Sequence, residues 1–375
     1  MILNFGYAIG RKIMVNIVDC NLKQFQYEII GKKIIAFGAG RKFKSFISIS
    51  NLTDKVKYVV DRQPEKYNYA IKFGTKKIGI KTINQIEDDI DKTQTILLIT
   101  NRFCISEILE QIDNNGKLDG MNCYICALME EKYESQEIVY PNYNYSIPKK
   151  IHYCWFGKNP MPEEFERNIE SWKEMCPKYE IIKWDETNYD VSKNLYMKQA
   201  YEQKKWGFVP DYARLDIIEN EGGIYLDTDV KVIKPLDDLL KCKSFMGFID
   251  NNMVALGLGF GAVKHNLLIK ELRDYYNDKR FLKEDGTLDM RPCVEYQYPV
   301  LVKYGFKMDN KYQDINKNIL YPTEVFNPLG KIKFHTCFSC NTHTIHDAQI
   351  SWESEENRLA HENTIREIKR RVKCV

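Results

Sequence analysis

The sequence predicts an α/β protein in two domains, and three observations carry that reading. At 375 residues the chain is too long for one compact core. From Lys32 onward, short buried-strand patterns alternate with helical ones, as in a parallel, doubly wound sheet. After a stretch over 131–145 that keeps neither period, a fresh apolar pattern opens at Ile147. The expected domains are therefore 1–140 and 147–375, with 131–145 as the linker.

Taken in order, the segment before Lys32 is ambiguous in pattern. KKIIAFGAG reads as a buried strand running into a glycine turn. KVKYVVD, closing on Asp61, and TQTILLIT over 93–100 read as two more strands, with a helical pattern over 103–112. Gly38 and Gly40 lie where a dinucleotide fold turns beneath a phosphate, and Asp61 stands where a ribose-binding acid would follow. Phe43 occupies the place of the third glycine, so the favoured reading is a Rossmann-like module whose turn needs glycine.

Composition excludes several classes. A net charge of +3 is too small for a nucleic-acid-binding surface. No run approaches the ~18 apolar residues of a membrane span. Arg11 and Lys12 cut short the apolar start MILNFGYAIG, and no cleavage pattern follows, so it does not read as a signal peptide. Eleven cysteines, an odd number without a framework, fit reduced thiols and a cytoplasmic location. Cys123/Cys126 and Cys337/Cys340 could supply four thiolates to zinc, but their apolar settings suit thiols packed as small hydrophobes.

In the second half, IPKKIHYCWFG is a buried strand carrying Trp155. A charged helix over 163–175, the strand EIIKW over 180–184 and a helix over 192–205 follow. The informative run is FVPDYARLDIIENEGGIYLDTDVKVIKPL, over 208–236. Pro210 is placed to open a helix and Gly222-Gly223 to close it. Asp211, Arg214, Leu215 and Ile218 share one stripe, polar in its first turn and apolar beyond. The bland alternative for Asp211 and Arg214 is a surface i,i+3 pair. Strand alternation then sends Tyr225, Asp227 and Asp229 to one side. Two carboxylates facing the same way repel unless a cation joins them, which suits a hard divalent ion, Mg²⁺ or Mn²⁺.

PDYARLDIIENEGGIYLDTDV, with IPKKIHYCWFG upstream, resembles the bacterial sugar transferases of glycosyltransferase family 32, the DXD-containing capsular-polysaccharide type. The yeast initiating mannosyltransferases are akin to these, and the large clostridial glucosylating toxins share the motifs more distantly. The resemblance spans 147–352 and implies a GT-A type, Rossmann-like catalytic domain, here with a smaller N-terminal Rossmann-like domain before it. Trp155 matches the tryptophan that stacks on the donor base; a core tryptophan is the alternative. Asp211 and Arg214 match residues holding the donor sugar and its phosphate, and Tyr225 a donor-contacting tyrosine. Asp227 matches the first DXD acid and Asp229 the direct metal ligand. AQISW, with His346 upstream, resembles the family's closing motif, which makes His346 a metal ligand and places Ser351 and Trp352 at the diphosphate. His343 and His335 are alternatives to His346. An imidazole ligand favours Mn²⁺ over Mg²⁺.

The resemblance further implies a retaining transfer of a sugar from a UDP- or GDP-sugar to a saccharide or lipid-linked saccharide acceptor. Asp227, Asp229, Arg214 and Trp352 would be its catalytic residues. The rivals are a nucleotidyltransferase, which would show a Gly- and Lys-rich triphosphate loop at its first strand, and a non-catalytic nucleotide-sugar-binding module. A dehydrogenase would leave the second half unexplained. The N-terminal module lies outside the resemblance and is expected to be separable from the chemistry. At the C-terminus, Leu359, Ile365, Ile368 and Val372 form an apolar stripe beside the basic end Arg366, Lys369, Arg370, Arg371 and Lys373. That helix either meets an anionic membrane surface, placing the enzyme peripherally at the inner face of the membrane, or packs on the catalytic domain.

Overall fold

The computed structural model describes residues 14–102, 104–132, 135–329, 334–346 and 355–373. The architecture is mixed α/β with parallel strands, in two compact units. One comprises Met1–Tyr133, Lys331–His335 and Trp352–Val375; the other comprises Glu134–Gly330 and Thr336–Ser351.

In the first unit the strands are β1 (Asn16–Val18), β2 (Lys33–Phe37), β3 (Val56–Val60), β4 (Ala70–Phe73), β5 (Lys76–Lys81), β6 (Thr95–Ile99) and β7 (Asn122–Ile125). The helices are α1 (Leu22–Glu28), α2 (Arg41–Ile49), α3 (Ile105–Asn115) and α4 (Cys126–Glu131). Strand order is β1-β7-β6-β2-β3-β5-β4, with the C-terminal strand Val372–Lys373 outside β1. Every described pairing is parallel except β4 with β5. Because β2 and β6 are apolar on both faces, helices can cover both sides. Ile35, Leu97 and Ile99 pack with Ile105 and Leu109 of α3 on one side. Ile34, Ala36 and Leu98 pack with Phe25 and Phe43 on the other.

The glycine turn uses Asp61 for itself. Gly38 has φ +94°, and a side chain there would press on Thr100 and Asn101. Asp61 accepts the Ala39 N–H at 2.8 Å and the Gln63 N–H at 3.1 Å. The carboxylate at the position of a ribose-binding acid thus braces the loop that a phosphate would meet.

In the second unit the strands are β8 (Lys150–Cys154), β9 (Glu180–Trp184), β10 (Gly223–Tyr225), β11 (Val230–Val232), β12 (Ser244–Asp250), β13 (Met253–Val254), β14 (Phe260–Ala262), β15 (Gln313–Ile315), β16 (Asn318–Tyr321) and β17 (Thr344–His346). The helices are α5 (Glu163–Met175), α6 (Leu195–Glu202), α7 (Pro210–Glu221), α8 (Leu267–Asp274), α9 (Cys293–Tyr304) and α10 (Thr323–Phe326). Its sheet runs β15-β16-β12-β14-β10-β8-β9, with β9, β8 and β10 parallel and β14 antiparallel beside them. β11 and β17 form a separate antiparallel pair. His152 of β8 pins the parallel strands together. Its Nδ1 accepts the Trp184 indole N–H at 3.1 Å, and its Nε2–H donates to the Gly222 carbonyl at 2.9 Å. Burial lowers its pKa to about 4, so the ring stays neutral.

Two expectations change. The segment over 131–145 is not a free linker, because from 135 onward it is strapped along the second unit. Ser135 Oγ and Gln136 N both donate to the fully buried Glu324 carboxylate, and Tyr143 N donates to the Lys241 carbonyl. The C-terminal helix Glu355–Arg371, read as part of the catalytic domain, belongs to the first unit. Its apolar stripe, read as a candidate membrane face, is partly occupied there: Ile368 is wholly buried and Val372 packs on the same core, while Leu359 stays exposed. Arg371 makes a buried ion pair with Asp113 of α3 at 2.9 Å. Finally, the two Cys-x-x-Cys pairs fall in different units. Among the described residues no group of three or more His, Cys, Asp or Glu side chains is placed to hold a metal, and no helix is long and apolar enough to cross a membrane.

Candidate active site

The site is built where β10 ends. α7 opens with Pro210 and stops at Gly222 (φ +64°) and Gly223 (φ +103°), backbone conformations that suit glycine. The stop delivers the chain into β10, beside β8 and antiparallel to β14. α7 is buried from Asp211 through Glu219, so Asp211 and Arg214 are not a surface pair. Both are 3% exposed and joined by a direct ion pair. The Arg214 guanidinium also faces Asp227, with Nη1 at 3.3 Å from Oδ2 and 3.5 Å from Oδ1. Its carbon lies 5.7 Å from the centroid of the buried Tyr225 ring. Burial is the largest influence on the Asp211 carboxyl and raises it to about 6 against the pull of Arg214. Tyr196 Oη donates to Asp211 Oδ2 at the long distance of 3.5 Å. Arg214 Nε is buried without a hydrogen-bond partner among the described residues, a donor that an anionic oxygen would satisfy.

The alternation expected through Asp229 does not occur. β10 ends at Tyr225, and the chain then turns, with Val230 N donating to the Asp227 carbonyl at 3.1 Å. That turn sends the two carboxylates to different partners, Asp227 to Arg214 and Asp229 onward to the β11–β17 pair. His346 lies opposite Val230 in that pair, and its Nε2 stands 3.3 Å from Asp229 Oδ2. The three-donor set of Asp227, Asp229 and His346 therefore does not converge; the geometry gives a carboxylate–imidazole pair with Asp227 set apart. Asp229 Oδ1 is buried without a hydrogen-bond partner among the described residues.

Among the three histidines considered, only His346 reaches this turn. His343 is fully buried, with Nδ1 at 2.8 Å from the Asn341 carbonyl, and burial lowers its pKa to about 4. His335 belongs to the first unit and contacts Asp19 at 2.8 Å. Ser351 and Trp352 lie outside the described residues. Trp155 is half-buried on the α5 side of β8. Its indole meets Phe165 edge-on at 5.7 Å and donates to the Asn159 carbonyl at 2.8 Å.

Two contributors escaped the sequence reading. Asn168 of α5 donates to the Thr228 carbonyl at 2.9 Å, fixing the turn between the two aspartates. Gly257 accepts the Asp227 N–H through its carbonyl at 3.1 Å. A methyl group on Gly257 would collide with the Asp227 carboxylate and approach Arg214 Nη1 at 3.1 Å. The glycine-rich run LGLGFGA held a signal for the second, since repeated glycines mark close approaches. Gly257→Ala should displace Asp227 from Arg214 and destabilise the unit by about 1–3 kcal/mol, as overpacking does. Thermal unfolding checks this, and an unshifted midpoint would refute the crowding.

With this geometry in hand, comparison with known proteins is informative. Residues 162–246 match the family model described as a glycosyltransferase sugar-binding region containing a DXD motif. This segment runs from α5 through Arg214, Asp227 and Asp229. Subversion of eukaryotic traffic protein A of Legionella pneumophila is 29% identical over 119 residues, 24% of this chain and 18% of that protein. Inositol phosphoceramide mannosyltransferase 3 of Schizosaccharomyces pombe is 28% identical over 149 residues, 36% of this chain and 39% of that one. The chain thus spans well under half the length of these curated relatives. The solved PaToxG glycosyltransferase aligns at 18% identity with a TM-score of 0.34, over 42% of this chain and 69% of that one, too distant to carry an argument.

Proposed function

We propose that this protein is a metal-dependent, retaining glycosyltransferase of the GT-A type. It would move a hexose from a UDP- or GDP-sugar to a saccharide or lipid-linked saccharide in surface polysaccharide synthesis. One observation carries the reading: inside the segment that matches a sugar-transfer family, two carboxylates, Asp211 and Asp227, hold one buried guanidinium, and a third, Asp229, faces an imidazole. The mannosyltransferase name of a relative supports a sugar as the group transferred.

The residues present fit a divalent cation. Asp211, Asp227 and Asp229 outnumber Arg214, and Asp229 keeps one buried oxygen without a partner among the described residues. Asp229 and His346 would hold the ion, with Asp227 set apart on Arg214, and a carboxylate–imidazole pair favours Mn²⁺ over Mg²⁺. When bound, the ion supplies Lewis-acid stabilisation of the departing diphosphate.

The chain's own residues supply the remainder. Arg214, held from below by Asp211 and Tyr225, presents a fixed positive charge to the donor phosphate or sugar at no cost in reorganisation. Asp227 balances that charge and offers its more exposed carboxylate to the donor's hydroxyls. By the resemblance of the closing motif, Ser351 and Trp352 would contact the donor diphosphate. The acceptor hydroxyl would attack from the leaving-group face through an oxocarbenium-like transition state, with positioning supplying much of the acceleration.

The test is hydrolysis of UDP- and GDP-sugars by the full chain with Mn²⁺, following nucleoside diphosphate release. Turnover of at least one donor, lost on chelation, is the expected result. A folded protein that neither binds nor cleaves any of them would overturn the proposal.

A further inference from the structure

We infer that Ser135 and Gln136, acting through the buried carboxylate of Glu324, position the strand that carries His346. The three residues thereby set the affinity of the cation site proposed above, on which this assignment rests. Glu324 lies in the single turn of α10 and is wholly buried. A buried carboxylate is costly unless hydrogen bonds replace its water. Here both oxygens are satisfied from one dipeptide: Ser135 Oγ donates to Oε2 at 2.5 Å and Gln136 N to Oε1 at 2.9 Å. A carboxylate with that demand specifies where the strap and α10 meet, which an apolar side chain of the same size would not.

Gln136 reaches the surroundings of that strand from two sides. Its side chain donates to the Asn310 carbonyl at 2.8 Å and accepts the Tyr312 N–H at 3.3 Å. Asn310 in turn holds the start of α10, its Oδ1 accepting from Thr323 N and Thr323 Oγ1, each at 2.8 Å. The Gln136 carbonyl accepts from Asn341 Nδ2 at 3.1 Å, in the loop that leads into β17. The strap therefore fastens α10 and the entry to β17 at once.

α10 carries β17 directly. His343 N donates to the Val325 carbonyl and Thr344 Oγ1 to the Phe326 carbonyl, both at 2.8 Å. β17 has three residues, and its partner among the described strands is β11. A two-stranded ribbon this short is marginal by itself, so its place is set by what it is fastened to. His346 ends β17 opposite Val230, with Nε2 at 3.3 Å from Asp229 Oδ2. A shift of β17 therefore moves the imidazole against the carboxylate. Cation affinity is sensitive to such shifts, because a metal tolerates little error in the placement of its ligands.

Binding of Mn²⁺ by the full chain, read by electron paramagnetic resonance, tests this beside hydrogen exchange of the second unit. Glu324→Gln keeps the volume and one acceptor oxygen, and Gln136→Ala changes a partly exposed side chain, so both variants should fold. Each should bind Mn²⁺ about tenfold more weakly, the scale of outer-shell losses at metal sites. Exchange should quicken at 230–232 and 344–346 and stay unchanged in β8, β10 and α7. In a His346→Ala background, Glu324→Gln should cost no further affinity, because it acts through that ring. A full further loss there, unaltered affinity in both single variants, or faster exchange spread evenly over the unit would overturn the inference while leaving the metal reading in place. No Mn²⁺ binding by the unaltered chain would overturn both.

Discussion

Asp229→Ala should lower metal-dependent turnover of the nucleotide-sugar donor by about a hundred- to a thousandfold, the equivalent of losing several kcal/mol of leaving-group stabilisation. It should do so with little change in folding stability. Asp229 contacts His346 at 3.3 Å, is partly exposed, and leaves one buried oxygen unpartnered among the described residues, so removing it takes little from the fold. Arg214→Ala makes the contrast, because it strands Asp211 in a buried site without its counter-ion. Breaking such a pair costs about 3–5 kcal/mol, so that variant should lose stability and turnover together. Circular dichroism melts beside kinetics with and without chelator separate the two cases. Turnover that survives both Asp229→Ala and chelation would remove the basis for a metal at this turn.

Deleting the first unit should give an insoluble protein rather than a smaller enzyme. The sequence suggested that the N-terminal module is separable from the chemistry, so that a fragment starting near Asn144 would keep it if soluble, but the first unit contains two later pieces of chain. Phe334 packs on its core, and the Phe334 and His335 amides both donate to Glu131 at 3.2 Å. Ile368 is wholly buried there, and the strand Val372–Lys373 pairs with β1. A truncation at Asn144 exposes Ile368 and leaves Arg371 without Asp113. Each large apolar side chain so uncovered forfeits about 1.5–3 kcal/mol and offers a surface for aggregation. Expression of the 144–375 fragment with a light-scattering measurement checks this. A monomeric, cooperatively folded fragment would show that the returning segments are not needed.

Much of the fold was legible in local pattern. The helix over Glu163–Met175, the strand over Glu180–Trp184 and the Pro210-to-Gly222 helix followed from periodicity and stop signals, which act within a few residues. Gly38 was legible for the same reason, since its positive φ is a local demand. Chain order by itself also determined that Asp211, Arg214, Asp227 and Asp229 would fall in one helix–turn–strand unit. Tertiary structure alone decided how they are used. Period-two reasoning put both DXD carboxylates on one face, but it assumes an unbroken strand, and the turn after Asp227 sent one carboxylate to Arg214 and the other to His346. Only strand pairing across more than a hundred residues could choose His346 over His343 and His335. The C-terminal helix shows the same limit: its apolar stripe was plain in the sequence, but the surface that covers it lies on α3, far away in the chain, and burial of Ile368 and Arg371 exists only once that helix has docked.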